Sequence, residues 1–123
     1  MHELFFTKTH EWVKFLDEEN ALVGLTEFAQ KELGDLVFVN LCEAGDLVEI
    51  GKAFGDVESV KAVSDVYAPV TGVVVKINEA LLTEPELINA DAMNTWLIEV
   101  ERISDREEML TLEEYEAFLK EGK

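Results

Sequence analysis

The residue whose type and neighbours point most directly to chemistry is Lys61, which lies between Glu58 and Asp65. A lysine amine is protonated at neutral pH and is then a poor nucleophile, unless burial or a nearby cation removes the proton. The carboxylates of Glu58 and Asp65 would instead favour the charged form. We therefore predict a lysine that another enzyme acylates. The simpler alternative is a lysine that only keeps the surface soluble.

Strand-like segments on both sides of Lys61 predict a hairpin that carries this residue at its tip. These segments cover residues 53–60 and 62–67, and Gly51 and Gly72 stand at nearly equal distances before and after the lysine. A lysine at a hairpin tip is exposed, so a modifying enzyme can reach it. Its four-carbon side chain also adds reach to any attached group.

Short apolar or β-branched runs separated by turn residues continue through most of the chain and are typical of strands. Besides the hairpin, we predict strands over residues 10–15, 21–25, 36–41, 72–77 and 95–100. Short strands in this number indicate a sandwich or a barrel, and they argue against a parallel α/β sheet.

Two regions carry helix signals. Thr26 is a suitable N-cap for a short helix that Gly34 would end. Near the C-terminus, residues 104–107 and 111–114 each match a capping box. We expect one domain over residues 1–123, with a β core over 1–102 and a helical tail over 103–123. The tail has an apolar stripe, predicted to be a packing face, made of Leu112, Tyr115, Phe118 and Leu119.

Composition excludes several functional classes. The chain has 10 basic and 27 acidic residues, a net charge of −17, which would repel nucleic acid and anionic membrane surfaces. Cys42 is the single cysteine, so no internal disulfide can form. The N-terminal residues lack the pattern of a signal or transit peptide, and no apolar run is long enough to span a bilayer. We expect a cytoplasmic protein that binds neither nucleic acid nor membrane, the alternative being a mature organelle protein whose transit peptide has been removed.

Other candidate sites are weak. His2 and His10 are the only histidines, too few for a convincing metal cluster, so no metal site is predicted. Cys42 has no base near it in sequence and is expected to be structural. Phosphate-loop, nucleotide-binding and nucleophile-elbow motifs are absent from the sequence. We predict that the chain is not an enzyme by itself.

The segment around Lys61, Glu-Ser-Val-Lys-Ala at residues 58–62, resembles the lipoyl-attachment segment of glycine cleavage H proteins. The resemblance includes Ser-Asp at 64–65 and Ala-Pro-Val-Thr-Gly at 68–72, and it extends in order over almost the whole chain. Each block is weak alone, but together they are specific. The further blocks are residues 9–13, 23–30, 33–39, 78–81, 85–89 and 96–97.

This resemblance implies a mostly β barrel-sandwich hybrid, the hammerhead fold of lipoyl and biotinyl carriers, with a short internal helix and C-terminal helices. It also implies lipoic acid attached covalently to Lys61. Biotin carriers usually flank their lysine with methionines, which this chain does not have. The implied cofactor-binding segment around the lysine comprises Glu58, Ser59, Val60, Ala62 and Asp65.

The resemblance further implies a non-catalytic carrier of the glycine cleavage system. Lipoyl-Lys61 would take the aminomethyl group from glycine decarboxylase (P protein) to aminomethyltransferase (T protein), and electrons to dihydrolipoyl dehydrogenase (L protein). A lipoyl ligase or lipoyl transferase would load the lysine. In the family, residues matching Thr9, Glu11 and Asp65 lie near the arm. The carboxylates of Glu11 and Asp65 are therefore expected to hold a protonated amine, the alternative being that both are ordinary surface acids.

The chain departs from the family pattern between Asn89 and Trp96. The family usually carries Asp-Pro-Tyr-Gly there, with a further glycine before the tryptophan, whereas residues 90–95 read Ala-Asp-Ala-Met-Asn-Thr. Cys42 also replaces a more usual proline. These departures leave open an alternative, an H-like carrier that relays lipoyl groups to other complexes or serves sulfur metabolism.

Overall fold

Two antiparallel sheets dominate the computed structural model, which describes residues 3–121. In chain order the strands are β1 (Glu3–Phe6), β2 (Glu11–Phe15), β3 (Ala21–Leu25), β4 (Leu36–Leu41), β5 (Leu47–Val48), β6 (Ala53–Ser59), β7 (Val63–Tyr67), β8 (Val70–Ile77) and β9 (Trp96–Arg106). The larger sheet has the strand order β1-β2-β3-β9-β8-β5, and the smaller has the order β4-β6-β7.

Short helices connect these strands. Helix α1 (Glu27–Leu33) lies between β3 and β4, while α2 (Ala80–Thr83), α3 (Leu87–Ala90) and a 3₁₀ turn (Ala92–Asn94) join β8 to β9. Helix α4 (Leu112–Glu121) follows the last strand. No helix within residues 3–121 is long and apolar enough to cross a membrane.

Apolar side chains from both sheets meet in one core. Val13 and Val23 of the larger sheet are fully buried, as is Val57 of the smaller sheet, and all belong to the same buried cluster. Because successive side chains of a strand point to opposite faces, each strand places only part of its residues in this core. The predicted mostly β architecture is confirmed.

The seven predicted strands correspond to seven of the nine observed strands. The bounds of β3 and β4 are as predicted, and the two strands of the lysine hairpin are each one residue shorter. The sequence patterns did not indicate β1 and β5 as separate strands, nor the helices α2 and α3. Strand β5 has only two residues and α2 and α3 only four each, too short to show a period.

The capping box predicted at residues 104–107 is wrong, because these residues do not begin a helix. Strand β9 continues through them to Arg106, which pairs with Val70 on β8. The Arg106 guanidinium also lies over the rings of Phe15 and Phe5, at 4.3 and 5.0 Å from the ring centroids. Tertiary pairing therefore overrides the local signal, and the sheet extends beyond residue 102. The division into core and tail at that point stays a prediction.

The other helix signals are confirmed. Thr26 Oγ1 accepts the backbone N–H of Ala29 at the start of α1, and Gly34 ends this helix at a φ of 83°. Thr111 forms a reciprocal capping box with Glu114, since each side chain accepts the other residue's backbone N–H, at 3.2 and 2.9 Å.

Helix α4 packs on the outer face of the larger sheet. Tyr115 is buried with Phe6 and Trp12, and Phe118 and Leu119 pack against this second cluster. The predicted packing face is thus confirmed for three of its four residues. Leu112, at the first turn, is 54% exposed and lies at the edge of the contact.

Replacing Thr111 by alanine is expected to lower the free energy of unfolding by about 1 kcal/mol, because the N–H of Glu114 loses its capping oxygen. Urea unfolding of the purified protein measures this loss. Thr111→Ser keeps the hydroxyl and should stay within about 0.5 kcal/mol of the wild type. Equal losses for both variants would contradict the capping role.

Candidate functional site

Lys61 lies in the three-residue turn between β6 and β7. Ser59 determines the local shape of this turn, because its Oγ accepts the backbone N–H groups of Lys61 and Ala62, at 3.2 and 3.0 Å. The N–H of Ser59 also donates to the carbonyl of Ala62 at 2.7 Å. Serine hydroxyls commonly stabilise turns in this way. Lys61 is exposed, as the predicted hairpin tip requires.

The turn is attached to the loop between α1 and β4. The N–H of Val60 donates to the carbonyl of Asp35 at 3.1 Å. A Cβ placed on Gly34 would lie 3.5 Å from Cε of Lys61, so the aliphatic part of the lysine passes over this glycine. The positive φ of Gly34 is a conformation that other residues rarely adopt. The end of α1 therefore forms the surface beside the lysine.

Asn89 fixes that surface from the opposite side of the loop. Its Nδ2 donates to the carbonyl of Gly34 and to the side chain of Gln30, both at 2.9 Å. Its Oδ1 accepts the N–H of Leu36 at 2.9 Å. One amide thus joins α3, the end of α1 and the start of β4, and so positions the glycine next to Lys61.

A cleft of about 290 Å³ begins beside this surface, between α1 and the lysine hairpin. Leu33, the residue before Gly34, is part of its wall, and so is Val57 on β6. The remaining lining combines apolar side chains with polar residues at the rim. The apolar members include Leu25, Phe28 and Ala29, and the polar members are Thr9, His10, Glu32, Ser64 and Asp65.

Glu11 lies beneath the cleft and is only 1% exposed. Its Oε1 accepts the hydroxyls of Thr7 and Thr9, each at 2.5 Å, and its Oε2 accepts the N–H of Tyr67 at 3.1 Å. Burial raises the pKa of this carboxyl above its ordinary value, and the three hydrogen bonds oppose that shift. Glu11 is therefore bound to the protein's own donors, while Thr9 and Asp65 are exposed.

His10 connects the cleft to helix α4. Its Nδ1 forms a 2.8 Å hydrogen bond with the hydroxyl of Tyr115, which forms a second 2.8 Å hydrogen bond with Oγ1 of Thr26. Burial lowers the pKa of His10, so protonation of the imidazole destabilises the fold. The contribution of His10 to the free energy of unfolding is therefore complete above the ordinary histidine pKa, and it decreases as the pH falls below that value.

Replacing Tyr115 by phenylalanine is expected to lower the free energy of unfolding by about 1–2 kcal/mol, because one buried and one partly buried hydrogen bond are lost and the ring is kept. Urea unfolding above pH 7 measures this loss, since His10 is then neutral. Tyr67→Phe is the matched control, because no residue between 3 and 121 bonds to its hydroxyl. If both variants are equally stable, the hydrogen-bond chain contributes nothing.

The structure brings most of the predicted site residues together. Ser59, Val60, Lys61 and Ala62 share one turn, and Asp65 reaches the cleft rim with Thr9. Glu58 lies on the outer face of the small sheet. Cys42 is half-buried, and burial raises the pKa of its thiol, which disfavours a reactive thiolate. His2 lies outside the described residues.

Sequence reasoning did not identify the residues of α1 that form one wall of the cleft. Phe28, Glu32 and Leu33 recur along α1 at helical spacing, but this pattern alone does not show that they face the lysine hairpin. Asn89 belongs to a block of the family resemblance, but its positioning role was not indicated, because its three partners are 53 to 59 residues away in sequence.

Comparison with known proteins gives consistent matches over nearly the full length. The family model described as Glycine cleavage H-protein matches residues 4–122. A glycine cleavage system H protein of Lachnoclostridium phytofermentans is 58% identical, covering 98% of this chain and 94% of that protein. A probable glycine cleavage system H protein of Thermococcus gammatolerans is 49% identical, covering 95% and 87%.

A solved structure supports the fold. The crystal structure of a glycine cleavage system H protein from Mycobacterium marinum superposes with a TM-score of 0.89 at 36% identity, covering 98% of each chain. The two sheets and this similarity together confirm the predicted barrel-sandwich hybrid.

Proposed function

The chain belongs to the glycine cleavage H-protein family and is a lipoyl carrier of the glycine cleavage system, and we propose that Lys61 is the residue that bears the lipoyl group. The observation that carries this assignment is the exposed lysine in a hydrogen-bonded hairpin turn, beside the helix α1 that lines an apolar cleft. A modifying enzyme can reach such a lysine, and its side chain passes over Gly34, the neighbour of the cleft residue Leu33.

The residues around Lys61 fit a lipoyl group chemically. Phe28 and Leu33 give the cleft an apolar wall that would bind the aliphatic part of the arm. At ~0.8 kcal/mol for each buried methylene, four methylenes would contribute roughly 3 kcal/mol. An interaction of this size holds the arm and still lets it leave for a partner enzyme.

When bound, the lipoyl dithiolane supplies a reversible acceptor for the aminomethyl group and for a pair of electrons. The protein itself supplies attachment, shielding and charge. We propose that Thr9 and Asp65 present polar groups at the cleft rim, where the carboxylate of Asp65 attracts a protonated amine. Glu11 orients Thr9 through their hydrogen bond and adds negative charge from beneath when it is ionised.

We propose that the chemistry is carried out by partner enzymes, and that this chain is not a catalyst. The partners are glycine decarboxylase, aminomethyltransferase and dihydrolipoyl dehydrogenase, together with the ligase or transferase that loads Lys61. Covalent attachment keeps the reacting group at high local concentration near each partner. The net charge of −17 would attract basic docking surfaces.

The departures between Asn89 and Trp96 do not favour a different carrier role. Trp12 Nε1 donates to the carbonyl of Ala92 at 3.0 Å, and Thr95 Oγ1 donates to the carbonyl of Leu87 at 3.3 Å. The altered segment is thus hydrogen-bonded to the rest of the fold, and no contact in it points to lipoyl relay or sulfur metabolism.

The test of the proposal is lipoylation of the full chain in vitro, followed by glycine-dependent exchange of labelled carbon dioxide with a glycine decarboxylase from the same source. Exchange is expected only with protein whose mass shows the lipoyl group. Lipoylation at Lys61 without exchange would contradict the glycine cleavage role, and modification at another lysine would contradict the site.

A further inference from the structure

The outer face of the small sheet carries exposed apolar side chains beside Lys61. Phe38 on β4 is 61% exposed, Val63 on β7 is 66% exposed and Val60 in the turn is 72% exposed. Single exposed apolar residues are normal on protein surfaces, but clustered ones often mark an interaction site. We call these three residues the apolar face.

The strand register shows that the apolar face is one continuous feature. Phe38 is directly opposite Glu58, and Glu58 is directly opposite Val63. Residues directly opposite each other in an antiparallel pair share a face, so these three form a row across the sheet. Because neighbouring strands are about 4.8 Å apart, Phe38 and Val63 are separated by roughly 10 Å. Val60 and Lys61 lie in the turn next to this row.

The charges around the apolar face have one sign. Strands β4, β6 and β7 contain no lysine or arginine, and their three acidic residues are Asp56, Glu58 and Asp65. The latter two acids flank Lys61 in sequence, and Asp56 lies opposite Asp65 in the next row. A complementary partner would therefore have an apolar pocket surrounded by lysine and arginine side chains.

We propose that the apolar face docks the enzyme that attaches the lipoyl group to Lys61, an inference that rests on the proposed function. Before attachment there is no lipoyl arm to grip, so this enzyme must recognise protein surface close to the lysine. Enzymes that act later can also hold the arm. Docking would bring an activated lipoyl carbonyl to Nζ of Lys61. Lipoate and ATP give lipoyl adenylate and release pyrophosphate. The neutral amine of Lys61 attacks the carbonyl of this adenylate, the amide bond forms as the bond to AMP breaks, and the proton lost by the nitrogen passes with AMP to solvent.

Lipoylation kinetics test this inference. The full unmodified chain is the varied substrate for a lipoate–protein ligase supplied with lipoate and ATP, and mass spectrometry follows the product. Phe38→Ala is expected to raise KM for the carrier about tenfold with kcat unchanged. Val63→Thr keeps the side-chain shape and strand preference, and it should raise KM in the same direction. Added salt should raise KM for all forms.

Leu47→Ala is the matched control, because Leu47 is 64% exposed but lies on the other sheet. It should behave as the wild type, and urea unfolding checks that all variants are folded. The inference is overturned if Phe38→Ala and Val63→Thr are lipoylated with wild-type KM, or if kcat falls instead. It is also overturned if lipoylation is normal and only exchange with glycine decarboxylase weakens, since the face would then dock that enzyme. Absence of lipoylation in the wild type would instead refute the proposed function, and this inference with it.

Discussion

Replacing Lys61 by arginine is expected to abolish lipoylation and, with it, all glycine-dependent exchange of labelled carbon dioxide. Arginine keeps the positive charge and most of the length of the side chain, but its guanidinium stays protonated and does not form the amide. Lys61 is exposed and its backbone N–H bonds to Ser59, so the turn should be unchanged. Intact mass before and after ligase treatment measures the first effect, and the exchange assay measures the second.

Lys52→Arg is the matched control, because Lys52 is also exposed and lies just before β6, on the opposite end of the hairpin. Its lipoylation and exchange should equal those of the wild type. Both arginine variants should also unfold at the same urea concentration as the wild type. A lipoylated Lys61→Arg protein would show that another lysine carries the group.

Replacing Glu11 by alanine is expected to lower the free energy of unfolding by about 3 kcal/mol. The substitution removes a buried carboxylate and leaves three donors without their acceptor, the hydroxyls of Thr7 and Thr9 and the N–H of Tyr67. Urea unfolding at pH 7 measures the loss. Glu18→Ala, which removes an exposed acid, should change stability by less than about 0.5 kcal/mol. Equal stability of the two variants would show that the buried hydrogen bonds contribute little.

The carboxyl of Glu11 also predicts that the stability of the protein depends on pH. Because burial raises its pKa in the fold, the folded state binds more protons than the unfolded state between the unfolded and the folded pKa. Stability from Glu11 is therefore greatest below the ordinary carboxyl pKa and decreases as the pH rises through the folded value. The difference in unfolding free energy between the wild type and Glu11→Gln, measured from pH 4 to 8, isolates this contribution, since glutamine does not titrate.

Whether the charge of Glu11 helps to protect the aminomethyl group, or whether Glu11 is only structural, can be tested separately. If the proposed role at the cleft is correct, Glu11→Gln should release this group faster than the wild type, because the charge beneath the rim is lost. Release at the wild-type rate from Glu11→Gln would leave Glu11 with a structural role only. The release rate of Asp65→Asn, which loses the exposed carboxylate at the cleft rim, is to be compared with that of Glu11→Gln.

The local features of this protein could be predicted from sequence because their hydrogen bonds close within a few residues. Thr26 caps a helix through Ala29, and Thr111 caps another through Glu114, both as predicted. The lysine turn was predicted as well, and the structure adds that Ser59 shapes it through Ala62. Turn and cap residues act through side chains that reach only nearby backbone groups, so their positions in the sequence report the structure directly.

The resemblance to a known family predicted more than the local patterns did, since it gave the fold, the carrier role and the modified lysine together. The structure added how the lysine is held. Gly34 lies beneath its side chain, and α1 supplies one wall of the cleft beside it. Neither feature follows from the attachment segment, because both belong to another part of the chain.

Sequence alone thus determined the lysine hairpin, most strands, both capped helices and the class of carrier. Tertiary structure decided the surroundings of the site: the burial of Glu11 against Tyr67, the bond between His10 and Tyr115, and the extension of β9 over residues 104–106. The partners in the two side-chain contacts are 56 and 105 residues apart. Such contacts form only when strand pairing and core packing have closed the intervening chain, and no local pattern encodes which distant groups will then meet.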